Sequence, residues 1–257
     1  MIIFVLLNKT NNMKSLKKIT LIFLLCFLVI TNLSNTNLSN TKKTNSKEKN
    51  YIIGADLSHY QGNIKWTKKD KELFTFIYIK STEGGNFKDS RFQHNYNGIR
   101  NVGIFVGAYH VYNPKVSGKK QALNFINTVP KGVNDLPPAV DLHLVCYKTK
   151  SDVKKFRTQL KIFLNTIKDY YGKEVVFYVS NNQYDKYLNG YFKNQVWTWH
   201  YTNKTEPKKF GNLKCKMWQY GIAGKSNKKY KKYTNKFGLD LDYFVGSKKE
   251  FLKFIKP

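Results

Sequence analysis

Three aspartates stand at or near the ends of short apolar runs, where a strand would deliver them to one rim of a sheet. Asp56 follows the run 51–55, Asp141 follows Pro138-Ala139-Val140, and Asp240 sits in Leu239-Asp240-Leu241-Asp242-Tyr243-Phe244. The run 74–79 leads to Lys80 and Glu83, and the run 102–108 leads to Tyr109 and His110. Any one such aspartate is accounted for by capping the turn that follows it. As a set they say more. Carboxylates do acid and base work, and aromatic faces among them stack on pyranose rings, so the constellation fits a sugar-binding groove. Glu83, Tyr109, Tyr178, Trp197, Trp218 and Gln219 are the candidate substrate contacts. Taken singly, the four aromatics are equally well explained as core, and Glu83 as a partner for Lys80. No glycine-rich phosphate loop, zinc-type spacing or Gly-x-Ser-x-Gly elbow competes with this reading, and no cofactor or metal is expected. His59 and His110 read as hydrogen-bonded structural histidines, because no helical His pair or Cys cluster accompanies them.

The elements that must position these residues alternate. After the four runs above come the β-branched and aromatic run 175–179, then Val196-Trp197-Thr198-Trp199, Met217-Trp218-Gln219-Tyr220 and 239–244. Between the early runs lie helical patterns at 90–101, 118–128 and 150–171. In the last of these Val153, Phe156, Leu160, Phe163, Leu164 and Ile167 recur at helical spacing. Strands alternating with helices imply a parallel sheet. About eight strands in some two hundred residues fit a closed barrel better than an open sheet. The later connections are short for full helices, so the expected fold class is α/β, an irregular TIM-like (β/α) barrel. In such a barrel the loops at the carboxyl ends of the strands build the site, and Asp56, Glu83, Tyr109, Asp141 and Asp240 would converge there.

The chain has 257 residues and a formal charge of +29. Residues 51–257 hold 37 basic and 15 acidic side chains, a formal +22, with no break in composition that would mark a second core. Such a field favours polyanions, or else reflects a solvated lysine-rich face. A secreted nucleic-acid binder would interleave its aromatics with basic residues on an exposed sheet or helix. Here the aromatics sit in runs that end in carboxylates, which repel phosphate, so no specific nucleic-acid partner is expected. Near the N-terminus, Met13-Lys14-Ser15-Leu16-Lys17-Lys18 precedes the apolar stretch 19–30, the pattern of a secretory signal. Residues 1–31 are therefore assigned to a signal peptide or N-terminal anchor, and a membrane contact is expected only through that segment if it stays uncleaved. Residues 32–50, rich in Asn, Ser, Thr and Lys with a near-repeat of Asn-Leu-Ser-Asn-Thr, read as a flexible linker. Residues 51–257 are the folded domain, expected to be secreted or held at the cell envelope. Of three cysteines, Cys26 lies in the apolar stretch; Cys146 and Cys215 leave a disulfide and two buried thiols both open.

Gly54-Ala55-Asp56-Leu57-Ser58-His59-Tyr60-Gln61-Gly62, followed by Ile64-Lys65-Trp66, resembles the opening of the family 25 glycoside hydrolases. The resemblance continues through Ile79-Lys80-Ser81-Thr82-Glu83-Gly84, Gly107-Ala108-Tyr109-His110-Val111-Tyr112, Leu136-Pro137-Pro138-Ala139-Val140-Asp141, the segment 197–201, Trp218-Gln219-Tyr220 and 240–244. It spans about residues 51–252. It implies a barrel of about five β/α units and three further strands, and a lysozyme activity: hydrolysis of the β-1,4 bond between N-acetylmuramic acid and N-acetylglucosamine in peptidoglycan. The implied partner is peptidoglycan or a related anionic cell-wall glycan. Carried over residue by residue, Asp56, Asp141 and Asp240 match the family's catalytic aspartates.

The family's fourth strand ends in Asp-x-Glu, with the Glu as general acid, whereas this chain reads Asp141-Leu142-His143. The resemblance therefore puts His143 at the acid position. Burial raises the pKa of a carboxyl and lowers that of an imidazole, so a dry groove works against a histidine acid while neighbouring carboxylates work for it. A slow or acid-shifted muramidase and a glycan-binding protein without useful turnover are both compatible with this sequence. A third use of the scaffold, as an adhesive or immunity-like surface, is the remaining alternative.

Overall fold

The computed structural model describes residues 51–131, 136–143, 147, 149–199, 213, 215–235 and 237–256. The signal segment, the linker, Cys146 and the residues 200 and 201 of the resemblance lie outside the described residues.

Eight strands close into a barrel: β1 (Ile52–Leu57), β2 (Phe76–Glu83), β4 (Phe105–Val111), β5 (Ala139–Asp141), β6 (Val176–Tyr178), β7 (Val196–Trp199), β8 (Cys215–Ala223) and β9 (Leu239–Phe244). The short β3 (Phe87–Lys88) forms a hairpin with the end of β2. The order runs β1-β9-β8-β7-β6-β5-β4-β2, and β1 pairs with β2 to close the circle. All neighbours in it are parallel except β9, which is antiparallel to both β8 and β1. That reversal matters for the site, because the amino end of β9 meets the carboxyl ends of the other seven strands.

Among the described residues, helical crossovers between parallel strands follow three of them: α1 (Phe92–Val102) after β2 and its hairpin, α2 (Gly118–Ile126) after β4, and α3 (Lys150–Tyr171) after β5. After β1 the crossover consists of two 3-10 turns, and after β6 of a short turn of helix over 181–188. These are five β/α-like units, with β7, β8 and β9 the further strands. α3 starts on a capping box in which Thr149 and Asp152 satisfy each other's backbone N–H, and its apolar stripe Phe156, Leu160, Phe163, Leu164 and Ile167 is buried against the outside of the sheet.

Strand alternation sends every second side chain into the barrel. Phe76, Tyr78, Leu136, Ala139, Val176, Trp197, Met217 and Phe244 fill the interior. Helix α4 (Lys248–Ile255) plugs the end opposite the strands' carboxyl termini with Phe251 and Phe254, whose rings lie 5.2 and 5.3 Å from that of Phe244. Two glycines admit the large rings. A Cβ on Gly54 would stand 2.3 Å from Phe76, and one on Gly107 2.6 Å from Tyr78 and 2.8 Å from Leu136. β2 runs longer than its apolar run suggests, because polar side chains there find buried partners. Thr82 Oγ1 and Gln121 Oε1 lie 2.8 and 3.1 Å from the two ring nitrogens of His110. Burial holds that imidazole down at a pKa of about 4, so it is a neutral structural group.

Candidate active site

The carboxyl-end mouth of the barrel opens on a cavity of about 480 Å³. Asp56, Asp141, His143 and Asp240 line it, together with Tyr109, Tyr178, Trp197 and Gln219. β1 and β9 bring Asp56 directly opposite Asp240 in their ladder, with Asp242 one interior layer deeper, opposite Gly54.

The deepest part of the cavity is a relay of hydrogen bonds. The Tyr178 hydroxyl donates to Gln219 Oε1 at 2.8 Å, and Gln219 Nε2 donates to Asp56 Oδ2 at 2.7 Å. Trp197 Nε1 donates to Asp242 Oδ1 at 2.8 Å. Asp242 Oδ2 is buried with no donor among the described residues, while the carboxyl of Asp56 is within hydrogen-bonding reach of Asp242. Two carboxylates cannot both be ionised in such contact, so a proton shared between them is the arrangement that satisfies both. Burial, followed by the charges of Asp240 and Asp242, pushes the Asp56 carboxyl well above the usual range, against the Gln219 hydrogen bond. Burial likewise raises Asp242 to about 8 and Asp240 to about 6. The phenol of Tyr109 is held neutral by burial and then by the nearby aspartates.

His143 sits at the lip. Its Nδ1 is 2.6 Å from Asp141 Oδ1, and its ring stacks on Trp199 with centroids 5.3 Å apart and planes 11° from parallel. The hydrogen bond from Asp141 raises the imidazole pKa, partly offset by burial and helped by the carboxylate's charge. With Nδ1 engaged, Nε2 carries the second proton of the imidazolium and has no partner among the described residues. When the ring is doubly protonated, the pair thus presents an oriented Nε2–H beside two further carboxyls.

Two of the expected contacts are elsewhere. Glu83 is not on the cavity wall; its carboxylate is bound by Lys80 Nζ at 2.7 Å, and Lys80 is the member of the pair that lines the cavity. Trp218 faces outward, packed edge-on against Tyr51 and Tyr243 at 6.3 and 5.8 Å. The register explains it. Trp197 and Trp199 pair with Met217 and Gln219, which puts those four inside and Trp218, opposite Thr198, outside.

Sequence reasoning also missed residues at this mouth. Asp242 could have been found from its i,i+2 relation to Asp240, since both must share a strand face. Tyr60 and Phe237 form an exposed rim with ring centroids 4.6 Å apart. They come from turns that carry no periodic signal. Their apposition is fixed by Gln61 Nε2, which donates to Gly238 O at 2.7 Å across 177 residues of sequence.

Residues 55–228 match the model of the glycosyl hydrolases family 25. The chain belongs to this family. Among family relatives, Lysozyme M1 of Streptomyces globisporus is 30% identical over 187 residues, covering 68% of this chain and 63% of that protein. This chain thus spans a little under two thirds of that relative's length. Two solved structures superpose over most of the barrel. They are a family 25 glycosyl hydrolase from Bacillus anthracis (29% identity, TM-score 0.66, 80% of this chain and 94% of that one) and the bacterial lysozyme from Streptomyces coelicolor (27% identity, TM-score 0.68, 81% and 98%). Against the family pattern given above, this barrel keeps its carboxylates at the mouth and presents an aspartate-bound imidazole at position 143.

Proposed function

We propose that this chain hydrolyses the glycosidic bond of peptidoglycan between N-acetylmuramic acid and N-acetylglucosamine, with the imidazolium of His143 as the general acid. The observation that carries this reading is the Asp141–His143 pair at the cavity lip: its geometry leaves Nε2–H as the donor, and its hydrogen bond favours the charged ring. Nε2 gives its proton to the leaving oxygen as the C–O bond breaks. The oxocarbenium-like charge on the sugar is met by the ionised members of the Asp56, Asp240 and Asp242 group, and the attacking water later returns a proton to Nε2. The exposed rings of Tyr60 and Phe237 and the half-buried ring of Trp199 suit the faces of neighbouring sugars. A secreted or envelope-bound location goes with this substrate.

One observation favours a second reading, a glycan binder without turnover. The His143 side chain is 62% exposed, so water competes for Nε2 and for the proton it would transfer. The two separate in an assay of reducing ends released from peptidoglycan between pH 4 and 8. For the acid role, wild type is active, its rate falls as pH rises through the His143 titration, and His143→Ala lowers the rate by about 10² to 10⁴. An inert wild type together with activity gained by His143→Glu would abandon catalysis in favour of binding.

A further inference from the structure

A groove of about 1180 Å³, larger than the cavity at the mouth, lies on the outside of the barrel between α3 and the segment 186–195. Lys150, Lys154, Arg157 and Lys161 line one wall, and Lys186 and Lys193 the other. The only acidic residue among its lining residues, Glu174, is already paired with Lys168.

We propose that this groove binds a linear wall polymer carrying a phosphodiester charge on each repeat, holding the protein on the wall while the mouth engages glycan. An ordinary solvated helix face alternates charge and gains about 0.2 to 0.5 kcal/mol from each i,i+4 ion pair. α3 does the opposite. Lys150 and Lys154 stand at i,i+4, Lys154 and Arg157 at i,i+3, and Arg157 and Lys161 again at i,i+4, so every neighbouring pair on the stripe repels. No ion pair to Lys150, Lys154, Lys161 or Lys193 occurs among the described residues. A polyanion in the groove relieves that repulsion, and the concave wall concentrates the field.

Arg157 gives the groove a fixed point as well as a diffuse charge. Its Nε donates to Tyr187 O at 2.7 Å, and its guanidinium lies 3.4 Å from the ring centre of the exposed Tyr191. The stacked plane turns its terminal N–H groups into a fork suited to two oxygens of one phosphate. Tyr191 and the half-buried Phe192 add apolar surface for the carbon backbone of the repeat.

The inference rests on the wall-acting reading above, and its test separates the two. Co-sedimentation is measured with sacculi carrying their phosphodiester polymer and with the same sacculi stripped of it by hydrofluoric acid. Wild type is expected to bind the unstripped wall at least about tenfold more tightly, with a loss of roughly 10³ between 50 and 200 mM salt for six neutralised charges. The double variant Lys154→Glu, Lys161→Glu is expected to bind both preparations alike while still releasing reducing ends from stripped sacculi at the wild-type rate. A control, Lys248→Glu with Lys249→Glu on α4, makes the same change of net charge away from the groove and is expected to keep the preference. Equal loss in both double variants would mean net charge alone, and no preference in wild type would mean no polymer site. Displacement by a single-stranded oligonucleotide at a lower concentration of phosphate than the wall polymer needs would reassign the groove to nucleic acid. Failure of hydrolysis on stripped sacculi bears only on the proposed activity.

Discussion

Replacing Asp242 by Asn should stabilise the protein relative to wild type by an amount that grows as the solution becomes more alkaline. Asp242 is fully buried, with one oxygen bonded to Trp197 Nε1 and the other without a donor. Burial raises its pKa from 3.8 to about 8. Between those values the folded protein keeps a proton that the unfolded chain releases, so unfolding becomes easier as pH rises, by about 1.4 kcal/mol per pH unit at the limit. Across pH 5 to 8 that limit is about 4 kcal/mol for a single site. Asn keeps the oxygen that accepts from Trp197 and puts a permanent N–H₂ where the orphaned oxygen was, facing Asp56. The variant should therefore gain up to about 4 kcal/mol over wild type on going from pH 5 to pH 8. Urea unfolding followed by tryptophan fluorescence at pH 5, 6.5 and 8 reads this as a growing difference in midpoint at constant slope. Parallel pH dependences in the two proteins would show that Asp242 is ionised in the fold, and the shared-proton arrangement would have to be given up.

Two further outcomes follow from the same geometry. Asp141→Asn leaves an oxygen that can accept from Nδ1 but takes away the carboxylate charge that strengthens this bond and favours the imidazolium, so the imidazole should titrate at lower pH, and the alkaline limb of the rate profile should move with it; NMR titration of the ring protons gives the first and the digestion assay the second, and an unmoved titration would contradict the assigned cause. Gly54→Ala drives a methyl into the ring of the fully buried Phe76, with atoms only 2.3 to 2.6 Å from the new Cβ. A loss of about 1 to 3 kcal/mol or more is expected in thermal or urea unfolding, and an unchanged midpoint would mean a looser interior than the one described.

The barrel was legible because each strand is a short apolar run and each of the three crossover helices keeps its stripe. The runs at 196–199 and 239–244 coincide with β7 and β9, and the pattern at 150–171 with α3. What the sequence hides is direction and parity. Nothing in Leu239-Asp240-Leu241-Asp242 says that the strand runs against its neighbours, and it is this reversal that brings Asp240 to the mouth. Trp218 and Gln219 are adjacent in sequence but face opposite sides of β8, and only pairing with β7 decides which is inside. Glu83 looked like a site residue because carboxylates at strand ends look alike until a partner is known. Lys80, three residues earlier, takes the place on the wall and binds the carboxylate. Tyr60 and Phe237 depend on a contact between two turns far apart in the chain, which no local pattern encodes.

The same electrostatics account for a histidine at position 143. A glutamic acid there would be a fifth carboxyl beside Asp56, Asp141, Asp240 and Asp242, and the charge of its neighbours would favour its protonated form. An imidazolium answers to that ring of carboxyls with the opposite sign: the acidic surroundings that keep a carboxylic acid neutral keep a histidine charged, and either state is the proton-donating one. On the proposed acid role, position 143 keeps a proton donor only while the carboxyls stay close and the ring stays tied to Asp141. This makes the 2.6 Å contact between Asp141 and His143 the point on which donation depends, since without it the half-exposed ring reverts toward the ordinary behaviour of a surface histidine.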